Sequence, residues 1–276
     1  MSTPRLCLNS STLSNQSLGI VAEVEIAAEA GFSRVELWLP SIHAYVDAGG
    51  SLDDFRRRVD DLGIVVENGI GFAAWIVDDD DLRRAGLETA RRDMEALATI
   101  GCRRIAAPPV GAVEGPVVAT ERIVERFDAL ATLGASFDVT PQLELWGFAG
   151  TLHHLDQVLD VVAQRSEPTG VLLDVFHLVR GGSGIDLTDV PSGARLEIFH
   201  VNDVPADIEA DSLTDADRVL PGDGVAPLGE LIRQLSARDD EVVLSLELFD
   251  RRHWDHDPRR TAAVACERLE SLVGAV

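Results

Sequence analysis

Short apolar runs alternate along the whole chain with longer stretches in which apolar residues recur every three or four positions. RLCLN near Leu6, RVELWL near Val35, GIVVEN near Val65 and RRIAAP near Ile105 are rich in β-branched and aliphatic residues. Each is bounded by turn or charge signals, the pattern of a buried strand. QLELWG, VLLDVFH, LEIFHVND and VVLSLELF continue the series. Between them QSLGIVAEVEIAAEAG, SLDDFRRRVDDLG, DLRRAGLETARRDMEALATIG, VVATERIVERFDALATLG, TLHHLDQVLDVVAQ and LGELIRQLSARD read as amphipathic helices, several closing on a glycine stop. Eight strand–helix alternations in 276 residues predict an α/β fold, a single-domain (β/α)8 TIM barrel spanning residues 1–276. No linker, low-complexity tract or further repeat interrupts it.

The last four runs share a second property: each ends on a side chain able to hold a metal. These are Glu144, Asp174, His200 and Glu247. In a parallel sheet of β-then-α units, the C-terminal strand ends form the face where ligands bind. A lone carboxylate there is ordinarily a helix cap, a salt bridge or a solvated terminus. Four such groups from successive strands converge on one point, and a divalent cation is the simplest agent that holds them together. Arginine partners are scarce: none adjoins Glu144 or Asp174, and only Arg251 and Arg252 follow Glu247. Three carboxylates and one imidazole suit one Mn²⁺, Mg²⁺ or Co²⁺ ion better than structural zinc, and leave Zn²⁺ open as the occupant.

The charge balance narrows the partners. A net charge of −23 argues against a phosphate backbone and favours a small neutral or cationic substrate. The acidic run Asp78 to Asp81 reads as a solvated face or loop. Lysine is absent, which excludes a Schiff-base aldolase, a lysine-anchored pyridoxal-phosphate enzyme and a Walker A site. Cys7, Cys102 and Cys266 are too scattered for a disulfide framework or a CxxC metal site and read as small buried hydrophobes. With no signal-like N-terminus and no stretch approaching about 18 apolar residues, a soluble, cytoplasmic protein without membrane contact is expected. Pairing of barrel helices into a homo-oligomer is left open, with no patch to point to.

Several further residues belong to the same end of the predicted barrel. His177 follows Asp174 by three positions and is a candidate substrate contact at the mouth. Arg218 lies in SLTDADRVLPGDG after the seventh strand, where a pocket of carboxylates and an anionic intermediate has use for a fixed cation. PGDG at Pro221 to Gly224 is a tight turn, and GGSG at Gly181 to Gly184 a flexible loop rather than a phosphate cradle. Asn202 and Asp203 are placed to orient the imidazole or cap the loop. Trp75 and Trp146 sit near strand mouths as candidate substrate-binding walls, with Trp254 a third, against the alternative of core packing. His153 and His154 open a helix; His43, His253 and His256 carry no spacing signal.

LLDVFH, FHVND, LTDADRVLPGDG and SLELF together resemble the xylose-isomerase-like superfamily of sugar isomerases and epimerases, and the opening RLCLNSSTL is similar to that of its inosose isomerases. The resemblance covers essentially the whole chain and is strongest from Glu144 to Phe249. It implies a metal held by Glu144, Asp174, His200 and Glu247. It also implies a keto-polyol substrate, inosose or ketose, isomerised or epimerised by proton transfer through a metal-bound enediolate. Glu144 and Glu247 are then the acid–base pair, with His177 and Arg218 on substrate oxygens. Two departures bear on the subgroup. Gly150 stands where ketose 3-epimerases carry a further Glu, and Trp38 where the inosose isomerase pattern has Arg. DVFHLVRGGS is similar also to 3-dehydroshikimate dehydratases, so a lyase on the same metal site, of that kind or acting on inosose, is the alternative. The apurinic endonucleases of the same barrel need a basic groove and more ligands, and this acidic chain offers neither.

Overall fold

Runs that are apolar on both faces need cover on both sides, and the chain supplies it by closing its sheet into a cylinder wrapped in helices. The computed structural model describes residues 4–13, 18–238, 241–249 and 254–275. Its strands are β1 (Arg5–Asn9), β2 (Arg34–Trp38), β3 (Val65–Ile70), β4 (Arg104–Ala107), β5 (Thr140–Glu144), β6 (Thr169–Asp174), β7 (Ala194–Val201) and β8 (Val243–Leu246). They run parallel in sequence order and close where β1 pairs with β8, Leu8 opposite Leu246. The predicted barrel is therefore the observed one. Arg251, Arg252 and His253 lie outside the described residues.

The outer layer holds helices α1 (Ile20–Glu29), α2 (Leu39–Asp47), α3 (Leu52–Asp61), α4 (Asp80–Thr99), α5 (Thr120–Ala135), α6 (Leu155–Gln164), α7 (Val175–Arg180), α8 (Leu228–Ser236) and α9 (Pro258–Gly274). Local sequence sets several of their starts. The Ser51 hydroxyl accepts the Asp54 N–H to cap α3, which buries Phe55 and Val59 against the barrel. The acidic run Asp78 to Asp81 has more structure than a solvated loop. Asp79 caps α4, Asp80 and Asp81 occupy its first turn where the helix dipole favours them, and Asp78 pairs with Arg122 and Arg126 of α5. His154 caps α6 through its ring nitrogen in a capping box with Gln157. Two connections depart from simple alternation: β2 leads into the helix pair α2 and α3, and β6 into the six-residue α7.

Inside the cylinder the layers differ in kind. Near the strand starts, Glu67 pairs with Arg34 and with Arg104 (2.6 Å), and Arg104 also reaches Glu197 (3.1 Å). Above that lies an apolar layer of Cys7, Ile70, Ala106, Leu172, Ile198 and Val243. The three cysteines are free and buried, as expected, and burial pushes the Cys102 thiol up to about 12. Among the described residues no helix is long and apolar enough to cross a membrane.

Candidate metal centre and pocket

Strand register brings the ligand candidates together. Asp174, the last residue of β6, sits opposite His200 of β7, which sits opposite Ser245 of β8, two positions before Glu247. One ligand atom from each of Asp174, His200 and Glu247 lies within 4.8 Å of the others, and all three side chains are buried. His200 Nδ1 is 3.2 Å from Glu247 Oε2 and 3.7 Å from Asp174 Oδ2. Glu144 ends β5 and lines the same pocket as Glu247 but stands outside the compact three. Its Oε1 accepts the Trp146 indole N–H at 3.0 Å.

What these groups lack is as informative as what they touch. Glu144 Oε2, His200 Nδ1 and Arg218 Nε are buried and have no aligned hydrogen-bond partner. Leaving such atoms unsatisfied costs about 1–3 kcal/mol each, and native interiors rarely do so without a purpose. Glu144 Oε2 has a free lone pair, and His200 Nδ1 is turned toward the carboxylates of Asp174 and Glu247. A divalent cation fits this donor set of oxygens and one imidazole nitrogen.

Supporting residues fix each ligand. Asn202 donates to both Asp174 oxygens, 3.1 Å each, while its carbonyl accepts the Phe176 N–H; it orients the aspartate rather than the imidazole. Asp203 caps the loop, its carboxylate accepting the N–H groups of Val204, Gly222 and Ala226 at 2.9–3.0 Å. Gly224 belongs to this turn because a Cβ there would come within 2.3 Å of the Val204 carbonyl. The same loop is tied by an antiparallel bridge between Asp203 and Val219, which delivers Arg218 into the barrel mouth. Arg218 is 1% exposed, bonds Asp215 at 2.5 Å, lies 3.6 Å from both Asp174 Oδ2 and Glu247 Oε2, and stacks 4.1 Å over Phe176. Its place as the fixed cation of the pocket agrees with the sequence reading.

His177 also reaches the mouth. Burial, with Arg218 and His200 nearby, drives its pKa down to about 3, so the ring is neutral. Its Nδ1 accepts the Gly147 N–H at 3.3 Å, which leaves Nε2 carrying the proton. Arg218 Nη2, 3.3 Å from Nε2, is therefore held by carboxylates and not by the ring.

The pocket has a volume of about 160 Å³, smaller than a drug-sized site and suited to a small substrate. Its walls are aromatic. Trp38 packs on Phe72 (5.1 Å between centroids) and Phe249 (5.7 Å), Phe72 on Trp146, Trp146 on Phe148, and Phe148 on His177. Trp146 is thus where the sequence expects it. Trp75 is not: it is 1% exposed, donates its indole N–H to the Pro108 carbonyl and packs edge-on against Phe127 of α5. Its loop has already turned away from the mouth, and the residue belongs to the core. Trp254 donates to the Ser11 carbonyl and is absent from the pocket wall, where Trp38 stands instead.

Two carboxylates in one pocket are driven apart in acidity. Burial raises Glu144 to about 8, reinforced by the charges of Glu247 and Asp174 against the pull of His200. Burial also opposes ionisation of Glu247, but His200 and Arg218 outweigh it and hold the group below the usual carboxylate range. Opposed environments of this kind mark an acid and a base.

Glu36 was invisible as a site residue in the sequence. Fully buried in the middle of β2, it places Oε2 2.9 Å from His200 Nε2 and accepts from Asn68 at 2.8 Å and from Ser245. Its one signal is a lone acid between the apolar residues Val35 and Leu37 inside a strand.

The family described as Xylose isomerase-like TIM barrel matches residues 24–272. The chain belongs to that family. The inosose isomerase of Bacillus velezensis is 26% identical over 279 residues, 98% of this chain and 97% of its own. A solved structure of the IolI protein with a bound zinc atom superposes with a TM-score of 0.88 at 21% identity, over 98% of each chain. The probable 3-DHS dehydratase AsbF of Bacillus anthracis superposes at 0.75 with 16% identity, over 96% of this chain and 98% of its own. Both superpositions speak to the shared barrel alone, so the fold does not choose between proton transfer and elimination.

Proposed function

We propose that this family member is a divalent-metal-dependent isomerase or epimerase of a keto-polyol, of which inosose is the first to test. The observation that carries the reading is the pair Glu144 and Glu247, which line one pocket beside buried ligand atoms without partners. Asp174, His200, Glu247 and Glu144 would hold the ion, which when bound would polarise a substrate carbonyl. Glu247, kept ionised, takes the proton from the carbon beside that carbonyl. Glu144, on the same pocket, is the partner acid and returns a proton to the neighbouring carbon or the opposite face. The Nε2–H of His177 and the guanidinium of Arg218 bind substrate oxygens, and developing negative charge is held by the latter. Trp38, Phe72, Trp146 and Phe249 receive the C–H faces of the polyol and exclude water. The full length-to-length match to an inosose isomerase supports this choice of substrate class.

The test is metal content, followed by deuterium uptake from solvent into inosose and a panel of ketoses, with and without chelator. Metal-dependent exchange beside the carbonyl is the expected result. Bound metal with no exchange, and a product absorbing in the near ultraviolet, would transfer the assignment to a dehydratase.

A further inference from the structure

Glu36 lies outside the ligand set and does not line the pocket, yet it is surrounded by donors. Asn68 Nδ2 of β3 (2.8 Å), Ser245 Oγ of β8, Asn9 Nδ2 of β1 (3.4 Å) and His200 Nε2 of β7 (2.9 Å) all address one carboxylate that is 0% exposed. The Asn9 and Asn68 amide groups can only donate to it, and an ionised carboxylate accepts from all four neighbours at once. The imidazole nitrogen facing it must then be the one that carries hydrogen. His200 has two nitrogens, and the other, Nδ1, is the buried atom with no aligned partner, turned toward Glu247 and Asp174. Asn9 extends the same arrangement, since its amide also donates to Glu247 Oε1 at 3.0 Å and leaves Oε2 facing His200.

We infer that Glu36 is the positioning residue of the centre: through Nε2–H of His200 it fixes the ring's tautomer and rotation so that Nδ1, and not Nε2, is the metal-binding atom. The inference rests on the metal reading of the site. Glu36→Gln keeps the volume but puts an amide NH₂ among the four donors, so the ring loses its defined acceptor.

The test uses the full chain labelled with nitrogen-15 histidine and loaded with cadmium-113, together with dissociation constants for cadmium and manganese from chelator competition. Wild type should show one-bond coupling of the metal to Nδ1 of His200 with a proton on Nε2. Glu36→Gln should bind about 10- to 100-fold more weakly. A purely structural role would lower the melting temperature of the metal-free variant and leave its dissociation constant unmoved, which would overturn the inference. Coupling through Nε2 in wild type would overturn it as well. Should Glu36→Gln fail to fold, Ser245→Ala removes one donor from Glu36 without touching His200, and a several-fold loss of affinity is expected; unchanged affinity there counts against the inference. A wild-type chain that binds neither metal sinks the metal reading itself, a different outcome from binding that ignores position 36.

Discussion

The barrel buries charge at both of its ends, and the two ends treat it oppositely. At the strand starts Glu67 has an arginine on each oxygen, Arg34 on one and Arg104 on the other, and Arg104 continues to Glu197. At the strand ends three carboxylates, a histidine and Arg218 crowd together while Glu144 Oε2, His200 Nδ1 and Arg218 Nε go unmatched. Matched charge is complete and inert; it seals the cylinder. Unmatched charge is a deficit that a ligand removes. Unpartnered buried atoms occur elsewhere too, both oxygens of Glu23 among them, but at the strand ends they gather among converging charges.

Substitutions at each end sharpen that contrast. Glu247→Gln should lower turnover about a thousandfold while leaving the circular dichroism spectrum unchanged, because it removes a reacting group and not a structural one. Near-normal turnover would refute the two-glutamate mechanism. Glu67→Gln should do the reverse, leaving two half-buried arginines facing a neutral amide: a loss of about 1–3 kcal/mol by chemical denaturation with kcat intact in the folded fraction. A fall in kcat at full stability would erase the distinction between the two ends.

Acidity gives a third probe. Glu144 is raised to about 8 and Glu23 to about 7, each by burial first, so their contribution to stability is complete below the ordinary carboxylate pKa and is lost as pH rises through those values. His177, depressed to about 3, contributes stability above the ordinary imidazole pKa that is lost as pH falls toward 3. Melting temperatures of metal-free protein between about pH 5 and 9 should decline on the alkaline side. The smallest effect belongs to the surface. Arg57→Ala breaks an exposed pair with Asp54 and should change stability by less than about 0.5 kcal/mol.

The ligand candidates were legible because each falls where an apolar run stops, and strand ends in a parallel barrel share one face. His177, Arg218 and Trp146 followed from their nearness to those ends. Glu36 was hidden by the same logic: RVELW continues past it, so it marks no boundary, and only the closed cylinder shows that its side chain meets His200 across the lumen. Trp75 misled for the converse reason. It follows β3 by only a few residues, but the connection folds outward over α5 before reaching it, and nothing in GFAAWIV encodes that turn. Phe249 and Trp38 as facing walls likewise depend on β1 and β8 closing, a contact between the two ends of the sequence.

That closure also orders events in time. Asn9 donates to Glu247, 238 residues further along the chain. A chain growing from its N-terminus completes β1 first and leaves it an unpaired edge until β8 has been made. The candidate site is therefore completed last, once β8 has been made, and a fragment ending before Val243 would expose the sheet edges of β1 and β7 and lack Glu247. Premature termination would yield an aggregation-prone ribbon, never a weakened enzyme.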